Sequence, residues 1–264
     1  MQTIAVNGVA LKVVDCGAGL PLVLVHGFPL DHGMWAGQIA ALAAHVRVIA
    51  PDLRGFGGSQ ATPAPVAMEQ FADDLAALCD ALGVTGPIVL AGLSMGGYIA
   101  LSFWHKYAER LRGLVLCDTR AGADTAAAAA GRRETARRLR IDGLAPLLET
   151  MLPKLLSPLT LRDRPQVVED LRRQILSANP EGLAAAAEGM ARRRDFTDCL
   201  GTIDCPTLVV VGRDDRLSTP AEMRSMAGTI RGARLVEIDD AGHLAPLERP
   251  AQFNAAVLEF LGLV

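Results

Sequence analysis

The sequence predicts an α/β fold, built on a mostly parallel sheet whose two faces are covered by helices. Two observations lead to this prediction: apolar runs of strand length recur along the chain, and patterns typical of amphipathic helices lie between them. The apolar runs are rich in Val, Ile and Leu, as expected of parallel strands buried on both faces. They are 21–27, 45–52, 86–92, 111–118, 205–212 and 233–239.

Helices are predicted where apolar residues recur three and four positions apart, and strand–helix–strand alternation implies crossover connections. Near the N-terminus, 2–6 and 9–16 flank Asn7 and Gly8, a favoured tight-turn pair, so an antiparallel edge hairpin is expected. The predicted helices cover 34–44, 68–83, 96–109 and 250–262.

The alternation stops between 120 and 200, where the sequence favours helices and contains no strand-like run. Four prolines are expected to divide this segment into short helices: Pro153, Pro158, Pro165 and Pro180. We therefore predict a core formed by 1–119 and 201–264, with a helical insert over 120–200.

Composition excludes several classes of function. The chain has 264 residues, half of them hydrophobic, and a net charge of −3, which offers no electrostatic basis for binding nucleic acid or a membrane surface. No apolar run approaches the ~18 residues of a membrane span, and the start of the chain resembles a strand rather than a signal peptide. The five cysteines include no CxxC pair, so we expect reduced, mostly buried thiols, no metal site and a cytoplasmic protein.

One short stretch carries a nucleophile motif. Residues 92–96, GLSMG, match G-x-S-x-G and follow a predicted strand directly before a predicted helix. In this context the chain turns sharply and exposes the serine, and Gly92 and Gly96 provide room where neighbouring backbone passes close by. We predict that Ser94 is a catalytic nucleophile.

A base and an orienting acid follow in the expected chain order. His243 lies between the last predicted strand and the last helix, at the same sheet edge as Ser94. Asp214 and Asp215 come just after the preceding strand, which gives the order Ser, Asp, His. Asp215 is favoured as the residue that holds the imidazole in the useful tautomer. Asp214 is the first alternative, and Asp118 is a more distant one.

The negative charge of a tetrahedral intermediate requires hydrogen-bond donors. The backbone N–H of Met95, directly after the nucleophile, is one candidate. The other is the N–H of Phe28, because Gly27 lets the chain turn and Pro29 has no N–H to donate. His26 is expected to shape this loop rather than to act as a base.

These motifs together resemble the α/β-hydrolase superfamily. "HGFPLDHGMW", "PDLRGFGGS", "GLSMGGYIAL", "GRDD" and "AGHLAPLERP" occur in the superfamily's order across the predicted core. The sequences of these motifs are most similar to those of 3-oxoadipate enol-lactonases, small carboxylesterases and cofactor-free haloperoxidases. The resemblance implies eight core strands, a helical cap over 120–200 that forms the substrate pocket, and structural roles for Asp52 and Arg54. No cofactor is expected, because the chemistry of the predicted triad needs none. Because Ser94 stands where haloalkane dehalogenases and epoxide hydrolases have aspartate, those two activities are not expected.

The predicted function is hydrolysis of a small carboxylic ester or lactone through an acyl-enzyme on Ser94. Pro29 and Leu217 are predicted to contribute to the substrate pocket. Pro29 is also similar to a proline of haloperoxidase-type relatives, so perhydrolysis with the same triad is one alternative. A ligand sensor with the same fold and slow catalytic turnover is another alternative.

The insert decides the substrate, and its arginines offer two interpretations. Between 120 and 200, 13 arginines and one lysine accompany 11 acidic residues. One arginine near the pocket could bind a substrate carboxylate in bidentate fashion. Most of them are expected to form a solvated helix face. Residues 147–156, "LLETMLPKLL", could line the pocket or form the core of the insert.

Overall fold

An eight-stranded sheet is the scaffold in the computed structural model, which describes residues 1–62 and 65–264. In chain order the strands are β1 (Gln2–Val6), β2 (Val9–Cys16), β3 (Pro21–Val25), β4 (Arg47–Pro51), β5 (Ile88–Leu93), β6 (Leu111–Cys117), β7 (Thr207–Gly212) and β8 (Arg234–Ile238). Their spatial order is β1-β2-β4-β3-β5-β6-β7-β8. β2 pairs antiparallel with β1 and β4, and the remaining pairings are parallel. The predicted mostly parallel sheet is confirmed.

The predicted edge hairpin is also present. β1 and β2 pair with Val6 opposite Val9, so the turn consists of Asn7 and Gly8. Both turn residues have positive φ, 44° and 77°, as two-residue hairpin turns of this type require.

The sheet is buried on both faces, which explains its apolar strands. In β5, Ile88 and Leu90 belong to the core cluster shared with α2 (Met68–Ala81) and α3 (Met95–Tyr107). Val89 and Ala91, on the opposite face, pack in the cluster that includes side chains of the last helix. Alternate residues of one strand therefore contribute to two separate cores.

Within the described ranges, helices occupy both faces of the sheet and the long β6–β7 connection. The others are α1 (Ala36–Leu42), α4 (Ala126–Asp142), α5 (Ala145–Leu155), α6 (Pro158–Asp163), α7 (Pro165–Leu176), α8 (Pro180–Met190), α9 (Pro220–Thr229), α10 (Ala245–Glu248) and α11 (Pro250–Leu261). The four helices predicted for the core correspond to α1, α2, α3 and α11. The prediction missed α9 and α10, although Thr219 and Glu222 form a capping box at the start of α9.

The connection between β6 and β7 contains α4 to α8, as the sequence predicted for this segment. Pro158, Pro165 and Pro180 each open a helix, where the missing N–H has no intrahelical role. Pro153 lies inside α5, so its expected role as a helix boundary is wrong. It is tolerated there because α5 ends two residues later, at Leu155, and few helical bonds follow the proline. The division into core and cap at 120–200 stays our interpretation.

The cysteines are free thiols of two kinds. Cys79 and Cys117 are buried, whereas Cys16, Cys199 and Cys205 are half-buried, so the expectation of mostly buried thiols was too strong. Burial raises the pKa of Cys79 and of Cys205 to about 11, and that of Cys117 above its ordinary value. These thiols are therefore poor nucleophiles at neutral pH.

Among the described residues, no helix is both long and apolar enough to cross a membrane.

Candidate active site

Ser94 occupies a strained turn between β5 and α3. Its backbone adopts φ 55° and ψ −112°, a region that residues with a side chain rarely enter. Two bonds hold the turn: Ser94 N–H donates to the Cys117 carbonyl at 2.9 Å, and Thr119 Oγ1 donates to the Ser94 carbonyl at 2.7 Å. This strand–turn–helix geometry is the one expected of a nucleophile elbow.

The two glycines of the motif allow close backbone contact. A Cβ on Gly92 would lie 2.2 Å from the Gly96 carbonyl oxygen. A Cβ on Gly96 would lie 2.2 Å from the carbonyl oxygen of Val25, at the end of β3. Real Cβ contacts are never that short, so Gly92 is required for β5 to pass close to the start of α3, and Gly96 is required for the turn to pack against β3.

His243 and Asp215 form a buried pair at the edge of the sheet that Ser94 also occupies. His243 Nδ1 lies 2.8 Å from Asp215 Oδ2, with side chains that are 3% and 0% exposed. Because a carboxylate only accepts hydrogen bonds, Nδ1 carries the proton and Nε2 is left as an acceptor. Asp215 Oδ1 accepts from the N–H groups of Leu217 at 2.7 Å and Ser218 at 3.1 Å, which orients the carboxylate.

The structure distinguishes the three candidate acids. Asp214 is exposed, whereas Asp215 is the carboxylate bonded to His243. Asp118 is fully buried beside them and accepts hydrogen bonds from Gly212 N–H at 2.8 Å and from the thiol of Cys117 at 3.0 Å. Burial raises the pKa of Asp118 well above its usual range, and the negative charge of Asp215 raises it further.

The two predicted oxyanion donors flank the serine. A Cβ on Gly27 would lie 3.4 Å from Ser94 Cβ, so the loop that continues to Phe28 passes directly beside Ser94. Within the described part of the chain, the N–H groups of Phe28 and Met95 have no acceptor. Both are therefore available to a substrate oxygen. Among the hydrogen bonds of the described residues, there is none between the Ser94 hydroxyl and His243.

The loop around Phe28 is held by a neutral histidine. His26 Nε2 accepts from Leu53 N–H at 3.0 Å, and its Nδ1 lies 3.1 Å from the Gly27 carbonyl, to which it donates. Burial lowers the pKa of His26, which favours this neutral tautomer. Arg54 forms a buried ion pair with Asp74 at 2.8 Å, in keeping with a structural role.

Two supporting residues were missed at the sequence level. Thr119, just after β6, was not singled out although it holds the Ser94 carbonyl. Glu248 was quoted only within "AGHLAPLERP", yet its Oε1 accepts from Gly242 N–H at 2.7 Å, directly before His243. Both residues act through backbone groups, which leave no recognisable side-chain pattern.

Phe28 lines a cavity of about 320 Å³ between the predicted core and the insert. Its apolar wall includes Leu147, Met151, Ala187 and Met190, so part of the segment 147–156 does line a cavity. Among the described residues around it, Pro29 and Leu217 are absent. Their place in the substrate pocket stays a prediction.

One cluster has ligand types suited to a metal ion. The side-chain donor atoms of Asp31, His32 and Asp52 lie within 4.8 Å of one another. These atoms already have partners: His32 Nδ1 bonds Asp52 Oδ1 at 2.5 Å, and Asp31 Oδ1 accepts from Gly33 N–H at 2.8 Å. The cluster is a hydrogen-bonded link between two loops, and nothing else there indicates a metal.

Comparison with known proteins shows which family and which solved structures this chain resembles. Residues 21–250 match the family model described as the alpha/beta hydrolase fold, and the predicted resemblance is confirmed. A thermophilic esterase from Thermogutta terrifontis, solved with malate bound, is 51% identical with a TM-score of 0.97, covering 99% of this chain and 98% of its own. The 3-oxoadipate enol-lactonase 2 of Acinetobacter baylyi is 30% identical over 97% of this chain and 94% of its own length. A bromoperoxidase from Bacillus anthracis is 25% identical with a TM-score of 0.83, covering 96% of each chain.

Proposed function

This chain belongs to the alpha/beta hydrolase fold family, and on that premise we propose that it cleaves a small carboxylic ester or lactone through an acyl-enzyme on Ser94. That it is a carboxylic ester hydrolase follows from the esterase and the enol-lactonase that match nearly its whole length. The observation that carries the serine mechanism is the 2.8 Å bond between His243 Nδ1 and Asp215 Oδ2, at the edge of the sheet that holds the strained Ser94.

In the first half-reaction, Ser94 Oγ attacks the acyl carbon while His243 Nε2 takes its proton. Asp215 stabilises the imidazolium that forms. The N–H groups of Phe28 and Met95 donate to the oxyanion, and each such donor contributes about 3 kcal/mol to the transition state. The imidazolium then protonates the departing alkoxide.

The second half-reaction reverses the roles. His243 removes a proton from water, the resulting hydroxide attacks the acyl carbon, and Ser94 leaves with the proton returned by the imidazolium. An ester gives an acid and a separate alcohol. A lactone gives one molecule that carries both groups, because its leaving oxygen remains attached to the acyl chain.

Hydrolysis of 4-nitrophenyl butyrate tests this mechanism. Ser94→Ala should lower kcat by about 10⁴–10⁶, and Asp215→Asn by about 10⁴, because its amide favours the wrong histidine tautomer. Ser102→Ala is the matched control, since Ser102 lies on α3 with a buried hydroxyl that has no hydrogen-bond partner within the described chain. Substantial turnover by the Ser94 variant would exclude the acyl-enzyme. Wild-type kcat well below ~1 s⁻¹ on every ester would favour the ligand sensor.

A second candidate function uses the same site with hydrogen peroxide. Pro29 follows the proposed oxyanion donor Phe28, and the bromoperoxidase that matches this chain supports considering perhydrolysis. Peroxide would attack the acyl-enzyme in place of water, forming a peracid and releasing Ser94. Bromination of monochlorodimedone with acetate and peroxide measures this activity. A rate unchanged by Pro29→Ala would argue against it.

A further inference from the structure

The cavity beside Phe28 is lined by more positive than negative side chains. Arg132 and Arg138 reach it from α4, and Lys154 reaches it from α5. The carboxylate among its described lining residues is Glu134, which already accepts hydrogen bonds from Nε and Nη2 of Arg137 at 2.8 and 2.6 Å. Glu134 therefore contributes little negative charge to the cavity, and Arg138 contributes little positive charge, because its Nε bonds Asp142 Oδ2 at 3.2 Å.

Arg132 shares its carboxylate partner with a second arginine. Arg132 Nε bonds Asp124 Oδ2 at 2.5 Å, and Arg193 Nη1 lies 2.5 Å from Asp124 Oδ1. Arg193 is buried, with its guanidinium 4.2 Å from the ring centre of Tyr98. Two positively charged guanidinium groups thus share one carboxylate, which leaves one positive charge in excess.

The free end of Arg132 faces a weak acceptor. Its Nη1 donates to the sulfur of Met190 at 3.3 Å, and Met190 itself lines the cavity. Within the described chain, Nη2 of Arg132 donates no hydrogen bond, and the ammonium of Lys154 has neither a hydrogen-bond nor an ion-pair partner. A thioether is a poor partner for a guanidinium, so an anionic oxygen would be preferred at the same place.

We propose that this cavity binds a carboxylate of the substrate through Arg132, with Lys154 adding positive charge. The substrate class is then an ester or lactone that retains a free carboxylate, such as a monoester of a dicarboxylic acid. Phe28, Leu147 and Met190 would contact the carbon chain between the carboxylate and the reacting carbonyl. The inference rests on the proposed ester hydrolysis, because the cavity is placed beside the reacting carbonyl only through Phe28, which lines it and is also a proposed oxyanion donor.

The test compares two substrates that differ in one group: mono-4-nitrophenyl adipate, which is anionic, and the neutral 4-nitrophenyl adipamate. Wild-type enzyme should have a kcat/KM at least tenfold higher for the anionic ester. Arg132→Met should remove most of this preference by raising KM for the adipate, while changing kcat/KM for the adipamate by less than threefold. Asp124 keeps Arg193 as a partner in this variant.

Arg133→Met is the matched control, because Arg133 is the next residue of α4, is exposed and does not line the cavity. It should retain the wild-type preference. If Arg132→Met does not fold, the same comparison with Lys154→Met decides, since Lys154 lies outside the Asp124 ion pairs. It should reduce the preference at least threefold.

Three outcomes would overturn the inference: equal wild-type activity on both esters, equal loss on both in Arg132→Met, or the same loss of preference in Arg133→Met. Failure of the proposed ester hydrolysis would give results that differ from these three outcomes. In that case wild-type enzyme hydrolyses neither ester, or Ser94→Ala retains the activity.

Discussion

Glu248→Gln should disturb the loop that carries His243 without changing a proposed catalytic residue. Glu248 is fully buried in α10, where its two oxygens accept from two backbone groups. Oε1 accepts from Gly242 N–H at 2.7 Å, and Oε2 accepts from Ser157 N–H at 2.8 Å. One carboxylate therefore connects the residue before His243 with the start of α6 in the insert.

The structure sets the expected magnitude. Glutamine keeps one oxygen acceptor, but its NH₂ group would face a backbone N–H that needs an acceptor. A hydrogen bond to a charged group contributes about 1.5–3 kcal/mol, and 1 kcal/mol shifts Tm by about 2–4 °C in a chain of this size. We expect Tm to fall by roughly 3–12 °C. Moving the His243 imidazole by about 1 Å should lower kcat by up to ~100-fold, with a smaller effect on KM.

Thermal unfolding followed by circular dichroism and hydrolysis of 4-nitrophenyl butyrate measure both effects. Glu259→Gln is the control, because Glu259 is exposed and forms a surface ion pair with Arg234, of the kind that contributes little to stability. It should resemble wild type in both assays. An unchanged Tm for Glu248→Gln would refute the stability argument, and a lower Tm with unchanged kcat would refute the link to His243.

Two pH-dependent predictions follow from buried carboxylates. The raised pKa of Asp118 means that the native state retains a proton that the unfolded chain releases near pH 4, so this contribution to stability is lost as pH rises. The Tm of Asp118→Asn should therefore rise relative to wild type between pH 5 and pH 8 in calorimetry, and a constant difference would contradict the shift. The hydrogen bond to Asp52 raises the pKa of His32, so this pair stabilises the fold most below about pH 6.5 and less as pH rises through the raised pKa. His32→Gln should lower Tm more at pH 6 than at pH 9, and the reverse order would exclude a charged His32.

Local pattern was sufficient to predict the sheet and the positions of the chemistry. Apolar runs identified β3 to β8 because strands buried on both faces need apolar residues throughout. The loops after parallel strands meet at one edge, so residues far apart in sequence, such as Ser94 and His243, could be expected together. The same reasoning missed α9 and α10, which are short and have a proline in their first turn that can equally be interpreted as a loop residue.

The sequence by itself therefore determined the fold class and the sharp turn at Ser94, since both depend on residues that are neighbours in the chain, and it gave the order of the proposed serine, acid and base. Only the tertiary structure distinguished Asp215 from Asp214, because the choice depends on the turn after β7, where two backbone N–H groups orient one carboxylate toward His243. It also distinguished Arg132 from the other arginines of the insert. The insert contains 13 arginines, and the packing of α4 against α8 is what brings Arg132 to Met190 and the cavity.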